Sequence, residues 1–183
     1  MALNNAQVQQ VLKNAERLFD AKQVEAAYDR LAAEITLALQ DCSPIVLSVL
    51  TGGLIPTGHL VTRLAFPLQL DYLHATRYRG EVRGDELVWI ARPSISMTGR
   101  SVLIVDDILD EGMTLDAILN YCREQGAKNV YSAVLVEKHH DRRLNHIHAD
   151  FKGLTVDDRY VFGCGMDYKG YLRNLREIYA VTD

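Results

Sequence analysis

The sequence predicts an α/β fold: a mainly parallel sheet flanked by helices, in a single domain spanning residues 1–183. Three observations carry that prediction. Short apolar runs alternate with stretches of helical periodicity, the pattern of strand–helix–strand units. The runs at 45–50, 102–105 and 130–136 are apolar almost throughout rather than at every second residue, as strands covered on both faces are. A helical stretch over 114–125 ends on Gly126 and joins two of these runs, implying a right-handed crossover.

Taken in order, Val8, Val11, Leu12, Ala15, Leu18 and Phe19 fall on one face of a first helix. Val24, Tyr28, Leu31, Ile35 and Leu39 fall on one face of a second. These helices, within 3–41, carry no chemistry and are expected to pack on or beside the core. After Pro44 the character changes. Residues 45–50 read as a strand broken by Thr51-Gly52-Gly53, and a helix follows over 54–64. Strands are expected over 66–73 and 87–91. Between them, 75–85 holds Arg77, Arg79 and Arg83 with Gly80 and Gly84, which reads as a long loop or twisted hairpin of the kind that forms lids. A buried strand over 102–105 ends in Asp106 and Asp107, and the strand over 130–136 is the last element expected. No repeat, low-complexity tract or interdomain linker interrupts the pattern.

Composition narrows the function classes. A net charge of −4 disfavours nonspecific nucleic-acid binding. Cys42, Cys122 and Cys164 are scattered and odd in number, with neither metal-ligand spacing nor a disulfide framework, which fits a reducing compartment. No signal-peptide pattern or membrane-length apolar segment is visible, so a cytoplasmic location is expected.

The stretch Val102-Leu-Ile-Val-Asp-Asp-Ile-Leu-Asp-Glu-Gly-Met-Thr114 carries the chemistry. In open parallel sheets ligands bind beyond the carboxyl ends of the strands, where Asp106 and Asp107 are placed. Adjacent carboxylates repel and call for magnesium or for hydroxyl donors such as a ribose diol. The turn from Asp110 to Thr114 runs straight into a helix, and its backbone N–H groups, Gly112 and the Thr114 hydroxyl suit a phosphate. Diol at one end and phosphate at the other describe a ribose 5-phosphate.

Asp106, Asp107, Asp110, Gly112 and Thr114 match in register the phosphoribosyl-pyrophosphate signature of type I phosphoribosyltransferases, which the chain resembles. From residue 45 onward it resembles the hypoxanthine-guanine members. Lys138 stands where that family's lysine meets the purine O6, and an ammonium, being a donor only, favours a 6-oxo group over the 6-amino group of adenine. Tyr160-Val161-Phe162-Gly163-Cys164-Gly165-Met166-Asp167-Tyr168 is similar to the family's base-binding segment. The match implies that Tyr160 stacks on the base, Val161 offers backbone groups to its edge, and Asp167 helps hold a magnesium ion. Arg173 matches the arginine that meets pyrophosphate, and Arg142 or its neighbour Arg143 a second arginine in that region. Leu50-Thr51-Gly52-Gly53 resembles the family's pyrophosphate loop, with threonine in place of lysine.

The resemblance implies a small hood over the sheet, a flexible lid containing Arg77 and Tyr78, and assembly as a homodimer or homotetramer. It implies phosphoribosyl pyrophosphate on Thr51, Gly52, Asp106, Asp107, Asp110, Glu111, Gly112, Met113, Thr114 and Arg173. Purine would sit on Lys138, Tyr160, Val161 and Asp167, and Mg2+ on Asp106, Asp107 and Asp167. The implied reaction converts hypoxanthine or guanine to IMP or GMP, with Asp110 as general base, in purine salvage. A xanthine preference, or a non-catalytic regulator that senses phosphoribosyl pyrophosphate or binds RNA, are the alternatives. Val-Leu-Ile-Val-Asp-Asp also opens receiver domains of response regulators, but no phosphoacceptor strand with a downstream lysine strand follows here.

Besides Thr51, two residues depart from the family pattern, Arg77 where the lid usually has Ser before Tyr78, and Glu111. Glu111 stands where the phosphate loop ordinarily has Ser or Thr. Two like charges about 4 Å apart cost on the order of 4 kcal/mol at an effective dielectric near 20, so its carboxylate is expected to point away from the phosphate. The histidine-rich run 139–148 matches no compact zinc motif and reads as a solvated loop near the base pocket.

Overall fold

The structure, a computed structural model, describes residues 3–77, 87–144 and 146–182. The chain runs α1 (Asn5–Asn14), β1 (Glu16–Phe19), α2 (Ala21–Leu39), β2 (Ile45–Leu50), α3 (Leu54–Val61), β3 (Gln69–Arg77) and β4 (Leu87–Ala91). It continues through β5 (Ser101–Leu109), α4 (Met113–Glu124), β6 (Asn129–His139), β7 (Phe151–Asp157), β8 (Val161–Phe162) and β9 (Ile178–Ala180).

The main sheet has the order β4-β3-β2-β5-β6-β7. All its pairings are parallel except the edge pair β3–β4. Alternate residues of the central strands feed two cores, as the two-residue strand period requires. Leu103 and Val105 of β5 join Tyr28, Leu31 and Ile35 of α2 in one core. Val102 and Ile104 join Leu115, Ile118 and Leu119 of α4 in the other. Both faces are therefore covered, and the mainly parallel sheet expected from the apolar runs is present. A second sheet, β1-β9-β8, is small and antiparallel. No helix among the described residues is long and apolar enough to cross a membrane.

Several expected boundaries differ. The first helix stops at Asn14, and Leu18 and Phe19 lie on β1. Ala15 is already extended, Glu16 pairs with Ala180 and Phe19 with Ile178, and Asp20 starts α2 through a capping box with Gln23. A partner strand far downstream thus overrides a helical pattern only a few residues long. The strand expected over 66–73 begins at Gln69, where pairing with Ile45 starts, and runs to Arg77 because β4 pairs antiparallel along it. Arg77 is therefore the last residue of β3, paired antiparallel with Leu87 as the hairpin alternative for 75–85 has it, and Tyr78 lies outside the described residues. Asp106 and Asp107 lie within β5 rather than after it. Pairing with β2 ends at Val105, but pairing with β6 continues to Leu109. Likewise Lys138 is inside β6, held by β7, instead of following the strand.

Leu103 is fully buried at the centre of β5. Leu103→Ala is expected to lower unfolding free energy by about 2–5 kcal/mol in urea titration. Leu37→Ala, at a position 81% exposed, should change it by no more than about 0.5 kcal/mol.

Candidate active site

β5 runs four residues beyond its last pairing with β2, at Val105, and this step opens the site beside Asp106 and Asp107. The turn after β2 fills the lower part of it. A Cβ on Gly52 would lie 2.2 Å from Asp107 Oδ2, so only glycine lets this backbone lie against the carboxylate. Thr51 beside it is exposed, and the Leu50–Thr51 peptide is cis.

Of the acid pair, Asp106 is half-buried and Asp107 buried. Asp107 Oδ1 accepts the Ile108 N–H at 2.9 Å, and Asp106 Oδ1 accepts the Asp107 N–H at 2.9 Å. Burial, with repulsion from Asp107, pushes the Asp106 carboxyl well above the usual carboxylate range. Burial also raises Asp107, although the hydrogen bond with Asp106 and the Arg173 guanidinium oppose it.

Arg173 ties a third segment to the pair. Its Nη1 lies 3.7 Å from Asp107 Oδ2 and donates to Gly165 O at 2.5 Å, while Nη2 lies 2.6 Å from Asp167 Oδ1. Asp167 Oδ2 accepts the Gly170 N–H at 2.6 Å. Thr51, Gly52, Asp106, Asp107, Asp167 and Arg173, distant in sequence, thus converge.

The turn after β5 leads into α4 through Gly112, which holds φ +88°. A Cβ there would also lie 2.8 Å from Ile147 Cγ2. Asp106 to Leu115 line a cavity of about 360 Å3, with Glu111, Met113 and Thr114 half-buried on its wall. The N-terminus of α4 faces this cavity, and its N-cap residue Gly112 has no side chain to occupy the space, an arrangement suited to an anion.

Asp110 connects the cavity to β6. Lys138 Nζ donates to Asp110 Oδ2 at 2.8 Å, and His140 Nε2 lies 2.6 Å from Oδ1. Burial pushes the Asp110 carboxyl up, but the Lys138 and His140 hydrogen bonds outweigh it and hold the group below its ordinary value. Asp158, just past β7, lies 3.8 Å from Lys138 and accepts from Arg142 Nη2 at 2.8 Å. Arg142 faces this cluster, while Arg143 turns to Glu137 at 2.5 Å.

His140 and Asp158 had no predicted role. The ring of His140 is only 6% exposed, so this part of the histidine-rich run is not solvated as expected. Asp110, His140 and Asp158 have ligand atoms within 4.8 Å of one another. Lys138 and Arg142 already occupy the two carboxylates, and a cation entering here would meet both positive charges. The oxygen-only Asp106–Asp107 pair is the better match to a hard divalent ion.

Tyr160 is 51% exposed and meets Tyr168 edge-on at 5.5 Å. Val161 opposes Ala180, and Tyr160 O accepts the Val181 N–H at 2.9 Å. Because bonded and non-bonded pairs alternate in an antiparallel ladder, the Val161 N–H and C=O point away from β9, to the open side of β8.

A raised carboxyl pKa costs stability once the group must ionise, so the Asp106 penalty is absent in acid and grows toward neutral pH. Asp106→Asn is expected to raise Tm at neutral pH in metal-free buffer by about 2–4 °C, the shift that about 1 kcal/mol produces in a chain of this size. The gain should vanish in acid, as differential scanning calorimetry across pH would show.

Residues 14–169 match the family model described as the phosphoribosyl transferase domain. The hypoxanthine-guanine phosphoribosyltransferase of Bacillus subtilis is 32% identical over 159 residues, 86% of this chain and 88% of that protein. The hypoxanthine-guanine-xanthine phosphoribosyltransferase of Tritrichomonas foetus is 29% identical over 158 residues, 86% of each chain. Among solved structures, a hypoxanthine phosphoribosyltransferase from Staphylococcus aureus superposes with a TM-score of 0.87 at 25% identity, over 99% of this chain and 97% of that one. The matched span contains the acid pair, the Asp110–Thr114 turn and Lys138, and the chain belongs to the phosphoribosyl transferase family.

Proposed function

We propose that the protein transfers a phosphoribosyl group from phosphoribosyl pyrophosphate to hypoxanthine or guanine, releasing pyrophosphate. The observation that carries this reading is the cavity of about 360 Å3 lined by Asp106 to Leu115, with the Asp110–Lys138 pair at its side. The α4 N-terminus would take the 5-phosphate, and the acid pair would face the ribose diol. Thr51, Gly52 and Arg173 would meet the pyrophosphate. Lys138 would donate to O6, Tyr160 would stack on the ring, and the outward backbone groups of Val161 would meet the base edge.

In the reaction the C1–oxygen bond to pyrophosphate breaks and a bond from purine N9 to C1 forms. The base must lose a proton, and Asp110, already ionised through its donors, would receive it from N7. Asp106 and Asp107 fit Mg2+, because paired carboxylates withdrawn from solvent offer hard oxygen ligands, with Arg173 the one cation beside them among the described residues. Bound there, Mg2+ would neutralise charge on the leaving pyrophosphate. A cation on Asp167 would have to share it with Arg173. By the same family likeness, the chain would act as one phosphoribosyltransferase unit in a cytoplasmic homodimer or homotetramer, with small molecules as its partners.

Incubation with phosphoribosyl pyrophosphate, Mg2+ and each of hypoxanthine, guanine, xanthine and adenine should yield nucleotide from 6-oxopurines and none from adenine. Lys138→Ala should lower kcat/KM by about 100-fold, near 2.7 kcal/mol. Turnover of adenine by the wild type would contradict the role of Lys138, and an Asp110→Asn enzyme with full turnover would sink the base assignment. Glu111→Gln should leave KM for phosphoribosyl pyrophosphate within about twofold, since only the Glu111 N–H is assigned to the phosphate.

A further inference from the structure

We propose that His140 is a positioning residue for Asp110, holding its carboxylate in place through Nε2–H when Lys138 turns to the purine. This rests on the general-base reading of Asp110 and extends it to a residue that reading does not use.

Asp110 has a donor on each oxygen, Lys138 on Oδ2 at 2.8 Å and His140 on Oδ1 at 2.6 Å. Lys138 has competing tasks. It lies 3.8 Å from Asp158, and the proposed reaction asks it to bind O6. If it leaves, Asp110 keeps His140, with Arg142 farther off at 3.9 Å.

His140 is built for a fixed task. Its Nδ1 accepts the backbone N–H of Arg142 at 3.1 Å, so the proton of the neutral ring sits on Nε2 and donates to Asp110. Both ring nitrogens are engaged and the side chain is 6% exposed, so the ring is held at both ends. Protonating Nδ1 would break the Arg142 contact. Among the described residues, the charged groups around Asp110 are Lys138 on β6, Arg142 in the turn after it, Asp158 past β7, which faces both cations, and the adjacent Glu111 on the cavity wall. An aspartate oriented by a histidine that is itself oriented by backbone is the arrangement that fixes a base along one direction.

The test compares wild type, His140→Phe, which keeps a ring but loses both nitrogens, and His140→Gln, whose amide restores a donor near Nε2. Two readouts are followed across pH: steady-state kinetics with hypoxanthine and phosphoribosyl pyrophosphate, and the 13C titration of the Asp110 carboxyl without substrate. His140→Phe should lose about tenfold or more in kcat with both KM values little changed. The acid limb of its rate profile and its Asp110 titration should both move to higher pH, because a donor to the carboxylate has been removed. His140→Gln should recover most of both. A folded His140→Phe protein with wild-type kcat and an unmoved Asp110 titration would overturn the proposal. If the wild type makes no nucleotide, the transferase reading fails, and the carboxyl titration alone decides whether His140 holds Asp110.

Discussion

Two carboxylates side by side at the end of β5, taken out of water, are the constraint around which the site is arranged. Burial opposes the ionised form of both, and repulsion from Asp107 adds to it at Asp106, while the hydrogen bond with Asp106 and the Arg173 guanidinium ease it at Asp107. Every neighbouring segment responds to that charge. Gly52 brings bare backbone against Asp107, the next two N–H groups of β5 fold back onto the carboxylates, and Arg173 brings in the loop that carries Asp167. A hydrophobic pair at 106 and 107 would make a better strand, and its absence is what the proposed ligand chemistry at these positions accounts for.

The fold supplies the rigidity such a pair needs. β5 is central in the main sheet, with β2 on one side, β6 on the other and a helical layer on each face. Because β2 stops short while β6 continues, the acids are anchored on one side and open on the other. The same extension of β6 delivers Lys138, and the residue two beyond it, His140, to Asp110. The proposed ribose, phosphate and base subsites thus follow from how far neighbouring strands run.

Much of this could be read in the sequence because it is local. The β2 run, the Asp106–Thr114 motif and the Gly126 stop of α4 are written in contiguous residues, and the structure places them within one or two residues of expectation. What could not be read depends on partners far away. Leu18 and Phe19 continue a helical pattern, yet pairing with β9 makes them a strand. β7 was not anticipated, since Phe151-Lys-Gly-Leu-Thr-Val-Asp157 mixes a glycine and charges into an edge strand that needs little apolar content. His140 looked like one histidine among several in a polar run. The signal that singles it out is spacing along β6, which carries Lys138 and the turn after it to the same carboxylate.

The most direct test of the acid pair as the heart of a phosphoribosyl site is calorimetric titration of phosphoribosyl pyrophosphate into wild type and an Asp106→Asn/Asp107→Asn double variant, each with Mg2+ and with chelator. Saturable binding by the wild type that needs Mg2+ and is lost in a folded double variant is the predicted result. Equal binding by both proteins, with or without the metal, would contradict it.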